Sequence, residues 1–145
     1  MTKRKKNQRG QTLVESALVI LVLIATLLGI VDFGQVLFFH QTLAERARAG
    51  VRFAAVSSPL NTDQVKNFVV YNNSAGAGAP VLSGLTTSMV VVVQDGTQGC
   101  DDARVTVTIV NYPFQFFSPW IARTFVNKAI VETLPWEAPA SGNCA

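Results

Sequence analysis

Few side chains in this sequence are suited to chemistry, and their spacing argues against catalysis. The single histidine, His40, stands at the end of a long apolar run, where an interfacial side chain is expected rather than a base or a ligand. No serine sits in a nucleophile-elbow pattern, no His/Cys cluster has metal spacing, and no glycine-rich phosphate loop follows a strand. Asp95, Asp101 and Asp102 flank a glycine-containing turn and are the nearest approach to a cation site. They lack a defined calcium-loop spacing, and solvated turn carboxylates are the plainer reading. The sequence therefore predicts no catalytic, cofactor-binding or metal-binding residue.

The chemistry that is legible lies near the N-terminus, in Arg9-Gly10-Gln11-Thr12-Leu13-Val14-Glu15-Ser16. A carboxylate at the head of an apolar helix needs a partner. Cutting after Gly10 would free an α-amine on Gln11, four residues from Glu15 and on the same helical face. In a packed array of such helices, the amine of one subunit could neutralise the glutamate of the next. A buried pair of that kind sets register more than it adds stability.

The elements that position these residues follow from the charge distribution. The chain has 145 residues, 49% hydrophobic and 14% charged, with a net charge of +3. Five of its twelve basic residues (Lys3, Arg4, Lys5, Lys6, Arg9) lie in the first ten, so residues 1–10 carry +5 and residues 11–145 carry −2. A basic arm beside an apolar run has the form of a membrane-targeting region. The remainder has no basic stripe to follow a phosphate backbone, so no nucleic-acid partner is expected.

Residues 16–31 contain no charge, and apolar character resumes after Asp32 as far as Phe39. The uncharged run alone rises about 24 Å, short of a hydrocarbon core of about 30 Å, whereas residues 16–39 rise about 36 Å. The expected span is thus about 16–39, with Asp32 inside it. The basic arm places the N-terminus in the cytoplasm and the C-terminal portion outside. Cleavage by the general signal peptidase fits poorly, because the apolar run exceeds the usual 7–15 residues. Asp32 either snorkels or is protonated near the outer interface, or faces another protein helix.

Three blocks together resemble the TadE-like family of minor pilins (pseudopilins) of tight-adherence, or Flp, pilus systems. They are Arg9-Gly10-Gln11-Thr12-Leu13-Val14-Glu15, Gly29-Ile30-Val31-Asp32-Phe33-Gly34, and Leu43-Ala44-Glu45-Arg46-Ala47-Arg48-Ala49-Gly50-Val51-Arg52. The resemblance implies cleavage by prepilin peptidase between Gly10 and Gln11, with Glu15 as the fifth mature residue, important for processing or assembly. It makes Asp32, Gly29 and Gly34 the candidate intramembrane helix contact. The implied partners are other pilin subunits and the pilus assembly platform, with membrane lipid before assembly. Ser16 stands where the family commonly has an aromatic residue, and Gln11 where typical type IV pilins have Phe or Met.

Beyond the span, residues 40–56 lack proline and place Leu43, Ala47, Val51 and Ala54 or Ala55 at helical spacing. That face is either solvated or packed on the exported domain or on neighbouring subunits. A helix over residues 12–56 would be about 67 Å long, ended by Ser57-Ser58-Pro59. The expected fold is α+β: a 1–10 leader, an 11–56 helix and a 57–145 exported domain. In that domain, residues 61–71 read as a capped helix and residues 72–80 as a small-residue loop. Residues 87–94, 104–112 and 124–133 read as antiparallel strands, with Asp95-Gly96 at a turn. The aromatic segment 113–120 either covers a sheet edge or presents a contact surface. Cys100 and Cys144 are expected to pair, because an exported domain lies on the oxidising side of the membrane; two lone thiols are the alternative. Such a link contributes about 4 kcal/mol in the chain-entropy model.

The expected function is that of a minor pilin or pseudopilin, resident in the bacterial inner membrane and then on the cell surface. The competing reading is an uncleaved signal anchor whose exported domain recruits a partner.

Overall fold

The computed structural model describes residues 9–57, 60–97, 100, 102–114, 116–117, 125–126 and 128–137. One helix, α1 (Arg9–Ala55), runs unbroken for 47 residues, about 70 Å. No proline interrupts it, and the Thr26 and Thr42 hydroxyls donate back to the carbonyls of Val22 and Phe38 at 2.8 and 2.9 Å. It begins a turn earlier than the expected Thr12, because nothing in Arg9-Gly10-Gln11 stops a helix. It ends where the Ser57 hydroxyl donates to Phe53 O at 2.6 Å and the Ser57 amide to Ala54 O at 3.1 Å.

The second helix, α2 (Thr62–Tyr71), starts as its sequence dictates. Asn61 Oδ1 accepts from the amides of Asp63 and Gln64 at 3.0 and 3.3 Å, and Asp63 adds negative charge in the first turn. It stops at Asn72, which takes the left-handed conformation (φ 56°) and donates its amide to Phe68 O. Val65, Val69 and Val70 face inward and are buried.

Three strands form an antiparallel sheet: β1 (Val90–Asp95), β2 (Arg104–Ile109) and β5 (Ile130–Pro135), with β2 in the centre. A two-stranded ribbon joins β3 (Pro113–Phe114) to β4 (Phe125–Val126). The central strand alternates as expected, with Val105, Val107 and Ile109 fully buried. One sheet face receives α1 and α2. The other exposes Val91, Val93 and Val131, and joins the Thr106 and Thr133 hydroxyls at 2.9 Å.

Three expected strand bounds differ from those observed. Residues 87–89 form a 3-10 turn, in which the Thr86 and Ser88 hydroxyls bond each other at 2.8 Å, so β1 begins only at Val90. β2 ends at Ile109 because Asn111 turns the chain with a φ of 57°. In place of one strand over 124–133, the structure has β4 at Phe125–Val126 and the longer β5 from Ile130, whose terminal Pro135 lies at the end of an edge strand, where its missing N–H is tolerated. The Asp95-Gly96 turn is present: Gly96 has φ +77°, and a Cβ there would lie 2.9 Å from Ala103 Cα.

The core gathers Leu43, Ala47, Val51 and Ala54 of α1, the valines of α2, and the inner face of the sheet. Leu82, Leu85, Tyr112, Phe114 and Trp136 close its margins. Tyr112 donates its hydroxyl to Ser83 O at 2.8 Å, and burial raises its pKa above the ordinary tyrosine value.

Candidate assembly site

The N-terminal half of α1 touches almost nothing of its own chain. Residues 10–27 are all exposed, and through residue 31 only Leu28 is half-buried. Leu13, Val14, Leu18 and Leu21 are 63–72% exposed. The helix is long and apolar enough to cross a membrane once, with a mean hydropathy of 2.6 in its most apolar window and none of that window buried. Such a surface needs lipid or other helices around it. Gly10, Gln11, Val14, Glu15, Leu18 and Val19 line one side of it. Glu15 thus sits one turn above Gln11, on a face open to a neighbour. Among the described side chains, none forms an ion pair with it.

From Asp32 onward the same helix becomes a seam. Asp32 is 2% exposed, and its Oδ1 accepts from the Phe117 amide at 2.8 Å. This carboxylate is therefore bonded to a backbone N–H of its own chain. Two turns higher, the Phe39 ring centroid lies 6.0 and 6.1 Å from those of Tyr112 and Phe114. Leu43 and Ala47 are fully buried.

Arg46 then reaches across to the end of α2. Its Nη2 donates to Phe68 O at 2.9 Å and to Asn72 Oδ1 at 2.8 Å, while Nε donates to Val69 O at 3.2 Å. Its guanidinium carbon stands 5.7 Å from the Phe68 ring centroid, and that ring stacks on Phe53 at 4.8 Å. A cation at a helix C-terminus satisfies carbonyls that lack intrahelical partners and complements the helix dipole. Burial lowers the Arg46 pKa and Glu45 opposes that shift, but an arginine so placed remains charged.

Gly50 allows the two helices to approach, since a Cβ there would run into Val69 Cγ2. Arg48 extends outward to Glu132 of β5 at 2.9 Å. At the top of the seam, Trp136 Nε1 donates to Ser57 O at 3.3 Å.

Both halves of this helix are what a family model picks out: that of the TadE-like protein matches residues 10–52. The chain carries a TadE-like domain. That domain is α1 almost entire, and it supports involvement with tight-adherence pilus systems. Neither a curated protein nor a solved structure matches the chain.

The residues singled out in the sequence fall into three groups. Gly10, Gln11 and Glu15 lie together on the bare half. Gly29 and Gly34 are exposed, and a Cβ on either would meet nothing within 4 Å, whereas Asp32 between them is turned into the chain's own seam. Cys100 is disulfide-bonded, and Cys144, its expected partner, lies outside the described residues. Asp101 also lies outside them; among the described residues no three His, Cys, Asp or Glu gather as metal ligands. His40 is exposed at the edge of the TadE-like seam.

Arg46, Gly50 and Phe117 carry structural roles that their sequence positions alone do not reveal. The first two stand in the third block of the family pattern. Phe117 takes part through its backbone, which leaves no trace in residue type.

Proposed function

We propose that this chain is a minor pilin or pseudopilin of a tight-adherence (Flp) pilus, built into the filament or assisting its assembly for surface attachment. Prepilin peptidase removes residues 1–10, cutting between Gly10 and Gln11. The mature helix crosses the inner membrane once, with the C-terminal domain exported. It then leaves the bilayer sideways to pack with other pilin helices on the assembly platform and reaches the cell surface. Glu15 meets the new α-amine of a neighbouring subunit, while the exposed Gly29 and Gly34 mark the height at which sister helices approach. A Cys100–Cys144 link ties down the C-terminal tail.

One observation carries the reading: within the TadE-like domain, the N-terminal half of α1 is apolar on every face and exposes those side chains among the described residues, yet bears Gln11 and Glu15 one turn apart. Contacts of this head-to-tail kind do not close on themselves and so generate filaments. Intact-mass analysis with N-terminal sequencing of the chain from membranes tests it. The expected N-terminus is Gln11. A retained basic leader would overturn the proposal in favour of a signal anchor.

A further inference from the structure

Four large apolar side chains are exposed around the level at which the C-terminal domain first meets α1. Phe33, Leu37 and Phe38 of the helix are 65, 48 and 62% exposed, and Phe117 of the β3–β4 connection is 70% exposed. Phe117 is held at this level by its own amide, which donates to Asp32. Below it, residues 11–31 form the bare rod, about 31 Å of helix, matching a hydrocarbon core of about 30 Å.

We infer that the C-terminal domain rests directly on the outer surface of the bilayer that its helix crosses, with Asp32 at the hydrocarbon boundary and Phe33, Phe38 and Phe117 in the headgroup layer. This deepens the proposed function by naming a lipid surface as partner, and rests on the membrane insertion assumed there. It also moves the span from the expected 16–39 to about 11–31.

The physical reason is the backbone beside the helix. With a span reaching Phe39, the level at which Phe117 meets Asp32 and the β3–β4 ribbon lies beside the helix would sit in hydrocarbon. A two-stranded ribbon has open edges, and open edges and irregular loops exposed to lipid are not tolerated there. Ending the hydrocarbon at Asp32 leaves that backbone in the interfacial layer, roughly 5–8 Å deep on each side. The rise from Phe33 to Phe38 is about 7.5 Å, the depth of that layer. Aromatic residues favour such a level, where a ring has an apolar body to bury and water is still near. A neighbouring protein could also cover these rings, but their continuity with the lipid-length rod favours lipid.

The test uses the full chain in phosphatidylethanolamine–phosphatidylglycerol vesicles, with p-benzoylphenylalanine placed at position 24, 33, 93 or 117. Irradiation is expected to give lipid adducts at 24, 33 and 117 and none at 93, on the outward face of the sheet. Adducts at 24 with none at 117, or adducts at 117 to a second protein chain alone, would overturn the inference and leave membrane insertion standing. Loss of lipid adducts at 24 as well would remove both. All four side chains replaced are exposed, so folding is retained, and the Phe117 amide still reaches Asp32.

Discussion

The two halves of α1 belong to one unbroken helix and one family pattern, yet they are built to opposite plans. Residues 10–31 are apolar all round and bury almost nothing within the chain. Residues 32–55 confine their buried positions to a stripe of Asp32, Leu43, Ala47, Gly50, Val51, Ala54 and Ala55, with Phe39 half-buried on it and Glu45, Arg48 and Arg52 exposed. The comparison shows what periodicity says about partners. A striped helix finds its partner in its own chain, here the sheet and α2. A helix without a stripe needs a partner outside it, whether lipid or a sister helix.

The strongest way to break the comparison is to shorten a leucine in each half. Leu43→Ala leaves a cavity in the core and is expected to cost about 2–5 kcal/mol. For a small domain this lowers the unfolding midpoint by about 10 °C or more. Leu21→Ala removes a side chain that is 64% exposed and should leave that midpoint unchanged. Thermal unfolding of the full chain in detergent, followed by tryptophan fluorescence, reads both, because Trp136 packs at the upper end of the seam. Equal shifts would erase the distinction between the halves.

A smaller effect separates their glycines. Gly50→Ala forces α1 and α2 apart at Val69 and should cost about 1–3 kcal/mol, the usual range for overpacking. Gly29→Ala has open space and should leave the domain intact, with a gain of up to about 1 kcal/mol in helix propensity. The same unfolding experiment checks the pair. A Gly50→Ala chain as stable as its parent would show that the close approach of the helices is not needed.

Much of this architecture was legible because local rules agree with the global fold. The unbroken helix follows from apolar periodicity without proline, α2 from its Asn61 cap, and β2 from strict alternation at Val105, Val107 and Ile109. The turn at Asp95-Gly96 was equally plain. What stayed hidden depends on distant partners. Residue 117 bonds Asp32 across 85 positions through a backbone amide, and a single sequence carries no mark of such a bond. A guanidinium at position 46 reads as a surface charge until α2 presents its last carbonyls. Apolar content alone cannot divide residues 124–133 into β4, which pairs with β3, and β5, which pairs with β2. At the candidate site, Gln11 and Glu15 were legible from helical spacing, whereas the burial of Asp32 was not.

In the proposed assembly the bare half of α1, with Glu15 on it, serves packing between subunits, while the docked half serves the fold. The most direct test is the share of a Glu15→Ala chain recovered in sheared surface pili relative to membranes. Among the described residues the carboxylate touches no part of the C-terminal domain, so the variant should insert in the membrane and unfold at the parent midpoint. It is predicted to be strongly depleted from the pilus fraction. Recovery in pili at the parent level would contradict the claim.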